Sequence, residues 1–284
     1  MTERMVRANG VDLCVETFGD PGDPAVLLVA GAASSMDWWE TGFCERLAEG
    51  GRFVIRYDLR DTGRSVTSPP GAPSYRFDDL VDDAVGLLDA LGIARAHLVG
   101  ISMGGGIVQQ AVVLHPDRVV SVTLVATSPG GPGNDENGLP PIADRLLASF
   151  ADPPPVPDWS DRDAVIDHLV EGVRRFSGSL PFDEARVRAV AARMVDRTTD
   201  VEASQTNHWI LEGGTDVRSR LGEITVPALV LHGTEDPLFP LGHGEAFTRE
   251  IPGARLVPLD GVGHEAPPRS SWDLVVPAIL EHTA

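Results

Sequence analysis

Between Ala96 and Leu114 the chain turns from strand to helix through five residues, and few folds accept that passage. Ala96-His97-Leu98-Val99 is a short apolar run, and Gly100-Ile101-Ser102-Met103-Gly104 follows it. Gly104 through Leu114 carries a helical pattern that His115-Pro116 closes. Strand, Gly-x-Ser-x-Gly, helix predicts a sharp, strained turn with the serine at its apex and its Oγ above the sheet edge. Glycine two positions to either side keeps side chains out of the crowded bend.

The rest of the chain supplies the sheet that such a turn requires. Val11-Asp12-Leu13-Cys14-Val15-Glu16 alternates like a half-exposed antiparallel strand. Ala25-Val26-Leu27-Leu28-Val29 and Phe53-Val54-Ile55-Arg56-Tyr57-Asp58 are the runs expected of strands buried on both faces, with Asp20-Pro21-Gly22-Asp23-Pro24 as a turn. From about Phe77, Leu80, Ala84, Leu87, Leu88 and Leu91 form the apolar stripe of a helix. Asp78, Asp79, Asp82 and Asp83 read as a solvated face matched to its dipole. Val119 to Ala126 is a further strand. Strands alternating with helices predict a parallel sheet covered on both faces.

That rhythm breaks near Ser128, where Pro129-Gly130-Gly131-Pro132-Gly133 reads as a loop. Helices and turns continue to about Gly222, with a proline knot at Pro153-Pro154-Pro155-Val156-Pro157. The sheet resumes at Val226 to Leu231 and again at Ala254 to Leu259, and a helix from about Trp272 closes the chain. The division expected is a core of residues 1–128 and 223–284 with a helical lid, 129–222, inserted between two strands. Such a lid covers the carboxyl ends of the strands, where open α/β sheets bind ligands.

A displayed serine is a nucleophile only with a base in reach and an acid to orient that base. Behind an elbow of this kind the partners follow in the order acid, then histidine. Asp236 comes straight after a late buried strand, in Leu231-His232-Gly233-Thr234-Glu235-Asp236-Pro237, and neighbouring Glu235 is expected to point the other way. Of the eight histidines, His97 and His232 fall within strands and His115 ends the elbow helix. His168 and His208 fall in the lid, and His243 and His282 read as exposed. His264, in the glycine-flanked loop Gly261-Val262-Gly263-His264-Glu265 after the last strand, is the candidate base. Two backbone N–H groups must hold the charge that acyl transfer builds on the carbonyl oxygen. Met103, after the serine, is one donor, and Ala32, in the loop Val29-Ala30-Gly31-Ala32-Ala33-Ser34-Ser35, is the other. Trp38, Trp39, Met103, Phe176, His208 and Trp209 are candidates to line an apolar pocket.

Together these segments resemble the α/β-hydrolase family over essentially the whole chain, and within it the aclacinomycin methylesterase group of actinomycetes. The likeness runs through Phe18-Gly19-Asp20-Pro21, Val54 to Asp58, Arg60-Asp61-Thr62-Gly63-Arg64-Ser65 and Ala96 to Gly104. The segment from Asp58 to Ser65 is similar to the family's D-x-R-G-x-G-x-S stretch, whose role there is structural. In the lid the likeness is confined to patches such as Ser177-Gly178-Ser179-Leu180-Pro181-Phe182-Asp183. Most of the family carries a histidine before the oxyanion glycine, where this chain, like the methylesterases, has none and places Ala30. The resemblance implies a mostly parallel eight-stranded sheet with helices on both faces and an inserted helical lid. It also implies a Ser102, Asp236, His264 triad with Ala32 and Met103 as oxyanion hole, cleaving a carboxylic ester through an acyl-enzyme. The methylesterases act on a methyl ester of an anthracycline polyketide. A lactonase, a C–C bond hydrolase or a cofactor-free haloperoxidase or perhydrolase would use the same triad, and a small-molecule receptor could retain it. Haloalkane dehalogenases and epoxide hydrolases of this fold use an aspartate nucleophile, which Ser102 argues against.

Composition narrows the partners. A net charge of −19 sets the chain against nucleic acid. Two lone cysteines, Cys14 and Cys44, read as buried small hydrophobes and imply neither a disulfide framework nor a metal cluster. The chain has no lysine and abundant Ala, Gly and Pro, the codon signature of a GC-rich genome such as an actinomycete's. Met1 to Val6 holds no apolar signal core, and the run Ala25 to Ala33 is too short to span a bilayer. The expectation is a cytoplasmic monomer or homodimer with no metal, cofactor, nucleic acid or membrane span, acting on a small apolar ester.

Overall fold

The computed structural model describes residues 3–130 and 138–284. Of the loop expected at 129–133, only Pro129 and Gly130 fall within them; Gly131, Pro132 and Gly133 lie outside the described residues. Eight strands form one sheet: β1 (Arg4–Ala8), β2 (Val11–Phe18), β3 (Ala25–Val29), β4 (Phe53–Tyr57), β5 (Ala96–Ile101), β6 (Val119–Val125), β7 (Ala228–Gly233) and β8 (Arg255–Leu259). Their spatial order is β1-β2-β4-β3-β5-β6-β7-β8. β1 and β2 run antiparallel, as do β2 and β4, and every later pairing is parallel. β1 is a strand that the sequence reading missed. Its signal was Asn9-Gly10, both at positive φ, which turns β1 into β2 with Ala8 facing Val11.

Helices α1 (Thr41–Glu49), α2 (Phe77–Ala90), α3 (Met103–Leu114), α4 (Asp144–Ala151), α5 (Arg162–Phe176), α6 (Glu184–Arg197), α7 (Val201–Thr206), α8 (Gly242–Glu250) and α9 (Trp272–His282) complete the regular structure. The central strands are buried on both faces, and their alternation sorts the core in two. Leu27 and Val29 of β3 join Leu80 and Leu87 of α2, Ile107 and Val108 of α3 and Phe247 of α8. Val26 and Leu28 join Phe43 and Leu47 of α1 and Trp272, Val275 and Ile279 of α9. A period of two along the strand thus feeds two helical layers.

Three expectations need correction. β2 is not half-exposed: Leu13 through Glu16 are all buried, because Arg56 of β4 pairs with Glu16 and lets that carboxylate leave water. The acidic face of α2 is not wholly solvated, since Asp83 is buried and takes a two-pronged bond from Arg60, at 2.7 Å on each oxygen. His243 is buried, its ring bonded to Ser128 Oγ at 2.9 Å and the Pro140 carbonyl at 2.8 Å. His282 is half-buried on the Val122 carbonyl. Cys14 and Cys44 are buried as expected, and burial pushes both thiols up to about 12.

The segment between β6 and β7 carries α4 to α7. Val165, Ile166, Leu169 and Val170 of α5 pack on Val187, Ala191 and Met194 of α6 as a small separate core. Past α7, Val217 and Leu221 rejoin the main core. α6 is fastened to the sheet domain by charge: Arg186 pairs with Glu40, Arg193 with Asp37, and Arg197 with Glu3, Asp37 and Asp58. Among the described residues no helix is long and apolar enough to cross a membrane.

Candidate active site

The elbow is strained in the way its glycines foretell. Ser102 sits at φ 51°, ψ −119°, between the end of β5 and the start of α3, a left-handed conformation costing on the order of 1–3 kcal/mol. Its N–H donates to the Val125 carbonyl at 3.0 Å, and Thr127 Oγ1 donates to the Ser102 carbonyl at 2.8 Å. A side chain at Gly100 would meet the Gly104 carbonyl at 2.2 Å, and one at Gly104 would meet the Val29 and Ala30 carbonyls at 2.5 Å. Only glycine fits either place. The bend packs that closely because the helix must start directly above the strand ends.

Asp236 and His264 arrive from the last two strands, the first after β7 and the second after β8. His264 Nε2 lies 3.0 Å from Ser102 Oγ, and His264 Nδ1 lies 2.8 Å from Asp236 Oδ2. Asp236, in the turn after β7, takes the N–H groups of Leu238 at 2.9 Å and Phe239 at 2.8 Å on Oδ1. One carboxylate oxygen is thus fixed by backbone and the other is left for the imidazole. Burial alone would raise the Asp236 carboxyl, but His264, His232 and the Phe239 N–H together hold it below the usual carboxylate range. Glu235 points away, as expected, and accepts from Ser179 Oγ at 2.7 Å.

The His264 loop is held by the end of α5. His264 N–H donates to the Phe176 carbonyl at 2.8 Å, and the N–H groups of Ser179 and Leu180 donate to the Gly261 carbonyl. A side chain at Gly263 would strike the Phe176 carbonyl at 2.2 Å. The patch Ser177-Gly178-Ser179 therefore braces the His264 loop. The rings of Phe239 and Phe176 flank the imidazole at 5.3 and 5.8 Å.

Ser102 and His264 open on a cavity of about 740 Å³. Ala32 and Met103 line it with them, and so do Trp38, Trp39, Phe176, His208 and Trp209. Sequence reasoning did not find Phe77, Gln110 and Phe239, which line it too. Phe239 had a local signal, its place three residues past the acid; Phe77 and Gln110 had none. The loop bearing Ala32 is left-handed at Ala33, φ 54°, whose N–H is taken by His208 Nδ1 at 3.0 Å. Among the described residues no group of three or more His, Cys, Asp or Glu could hold a metal ion.

The segment Asp58 to Ser65 has the structural role that the resemblance implied. Asp58 accepts from the N–H groups of Met36 and Arg64 and from Arg197, and a side chain at Gly63 would collide with its carboxylate.

An eight-stranded, mostly parallel sheet with serine at the β5–α3 elbow, an acid after β7 and a histidine after β8 defines the α/β-hydrolase class of architecture. The chain matches the alpha/beta hydrolase fold family over residues 24–268 and belongs to it. It is 32% identical over 298 aligned positions to a rhodomycin D methylesterase of Streptomyces sp. (strain C5), spanning 100% of this chain and 98% of that protein. It is 31% identical to the rhodomycin D methylesterase of Streptomyces peucetius, with the same coverage. Among solved structures, an esterase from Rhodococcus sp. ECU1013 superposes with a TM-score of 0.77 at 20% identity, covering 100% of both chains, a likeness of fold alone.

Proposed function

We propose that the chain is a serine hydrolase that cleaves a carboxylic ester through an acyl-enzyme, with a methyl ester of an aromatic polyketide as the substrate class. The observation that carries this reading is the continuous hydrogen-bonded line Ser102 Oγ, His264, Asp236 on the wall of a large cavity. In it, His264 takes the serine proton as Oγ attacks the ester carbonyl. Asp236 keeps the proton on Nδ1 and stabilises the imidazolium. The N–H groups of Ala32 and Met103 hold the oxyanion. His264 then protonates the departing alcohol and activates the water that releases the acid. The helices between β6 and β7 form a lid over this site, within bounds of 129–222, and the core is 1–128 with 223–284.

The aromatic lining supports a flat, largely apolar substrate, and the two methylesterase relatives support the methyl ester. The test is turnover of a chain-length series of nitrophenyl esters beside aromatic polyketide methyl esters. The reading expects hydrolysis of both, with higher kcat/KM on the polyketide esters. Turnover confined to short nitrophenyl esters would remove the polyketide assignment, and no ester turnover at all would remove the esterase.

A further inference from the structure

We infer that His208 and Gln205 are positioning residues for the oxyanion loop, reaching from the segment between β6 and β7 to fix the Ala33 backbone and, through it, the Ala32 N–H. The inference rests on the esterase reading above and adds to it two residues outside the triad and its donors.

The loop leaves β3 at Val29 and must present an N–H beside Ser102 Oγ. Alanine does not choose φ 54° unaided, because its Cβ crowds the following carbonyl there. At Ala33 that conformation is held from outside. The Ala33 N–H donates to His208 Nδ1 at 3.0 Å, and the Ala33 carbonyl accepts from Gln205 Nε2 at 2.9 Å. The carbonyl of Ala32, on the same peptide plane as the Ala33 N–H, accepts from Ser34 Oγ at 3.1 Å. Both peptides that follow Ala32 are therefore pinned, which restrains the Ala32 backbone where that residue lines the cavity. The Ala33 N–H is committed to His208 and is therefore not the donor, which accords with Ala32 in that role.

His208 is itself over-determined. Because Nδ1 accepts, Nε2 carries the proton, and it donates to the Arg60 carbonyl at 2.9 Å. The ring is buried, and burial lowers its proton affinity against the weaker pull of the Arg60 carbonyl and Asp61. The adjacent Asn207 donates to Asp61 Oδ2 at 2.8 Å and accepts from the Gly71 N–H at 2.7 Å. The clamp thus stands on a braced base. An imidazole that accepts on one side and donates on the other is what this position requires, and a glutamine side chain can reproduce both roles.

The oxyanion exists only after attack, so loosening its donor lowers kcat and leaves KM nearly unchanged. Removing one oxyanion donor outright costs about 10²–10³ in rate, which bounds the effect of loosening it. His208→Leu should lose about 10- to 100-fold in kcat with KM within about 2-fold. His208→Gln should recover most of that loss, and Gln205→Ala should lose less than His208→Leu. Affinity for a trifluoromethyl ketone, which Ser102 converts to a tetrahedral oxyanion, should fall in parallel with kcat/KM, while affinity for the carboxylic acid product stays. Wild-type kcat in His208→Leu, or a KM rise alone, overturns the inference. If His208→Leu does not fold, unchanged kcat and ketone affinity in both Gln205→Ala and His208→Gln overturns it, and a kcat loss confined to Gln205→Ala supports it. Ser102→Ala, run alongside, separates the two levels: activity retained there refutes the esterase reading, whereas activity lost there with the clamp variants unaffected refutes only the clamp.

Discussion

Replacing Arg197 by Met should show how firmly α6 is tied to the sheet domain. Arg197 donates to Glu3 Oε1 at 2.8 Å, to Asp37 Oδ2 and to Asp58 Oδ2 at 2.9 Å, and its side chain is only 6% exposed. Asp37 keeps a second cation, Arg193, at 2.6 Å. Among the described residues, Asp58 keeps the N–H groups of Met36 and Arg64 and no second cation. Removing one partner of a buried ion pair costs about 3–5 kcal/mol, mostly for the charge left behind. A chain of 284 residues unfolds with an entropy near 0.6 kcal/mol/K, so the midpoint should drop by about 5–8 °C at pH 7. The pH dependence identifies the responsible group. Burial already raises the Asp58 carboxyl above its ordinary value, and Arg197 is the main influence opposing it. A carboxyl raised in the folded state costs stability above its unfolded pKa, and the cost grows until the pH passes the folded value. Without Arg197 the Asp58 carboxyl rises further. The difference between Arg197→Met and wild type should therefore shrink as the pH is lowered from 7 toward 4. Thermal unfolding followed by circular dichroism across that range is the assay. A midpoint drop below about 1 °C, or a deficit that widens on acidification, would refute the reasoning.

Two further outcomes follow from the same geometry. Asp236→Asn keeps an oxygen for the Leu238 and Phe239 N–H groups but turns an amide toward His264 Nδ1, forcing the proton onto Nε2, where it cannot receive the serine's; kcat should fall about 10⁴-fold. A loss under about 10-fold in steady-state kinetics would contradict that role. His97, bonded to Ser121 Oγ at 2.8 Å, is pushed down to about 4, chiefly by burial and further by Arg52, His282 and Arg95. Its stabilisation is full above the unfolded imidazole value near 6.5 and is lost as the pH falls toward 4. His97→Gln should flatten the decline in melting temperature over that interval, and an identical decline in both proteins would contradict it.

What the sequence made legible is local in origin. The Ser102 elbow is marked by the glycine spacing of the turn itself, where Gly100 answers the Gly104 carbonyl, although Gly104 answers the distant Val29 and Ala30 carbonyls, and Asp236 and His264 stand at strand ends that short apolar runs announce. β3 declares its burial on both faces by an unbroken apolar run. What stayed hidden depends on partners far along the chain. Glu16 and Asp83 look solvated until Arg56 and Arg60 are folded against them. His243 looks exposed until Ser128 and the Pro140 carbonyl close on its ring. Ala33 and His208 stand 175 residues apart, and no periodicity joins a loop alanine to a histidine of the segment between β6 and β7. Local propensity reports what a residue can do, whereas a buried polar pair is defined only by the fold that brings its two members together.

The central claim is that Ser102 carries the acyl group. Rapid mixing with a nitrophenyl ester whose acyl-enzyme hydrolyses slowly, followed by intact and peptide mass spectrometry of the quenched protein, tests it directly. The account expects a burst close to one nitrophenolate per chain and an acyl mass on the peptide containing Ser102, with both absent in Ser102→Ala. Steady hydrolysis with no adduct on Ser102, undiminished in Ser102→Ala, would contradict it.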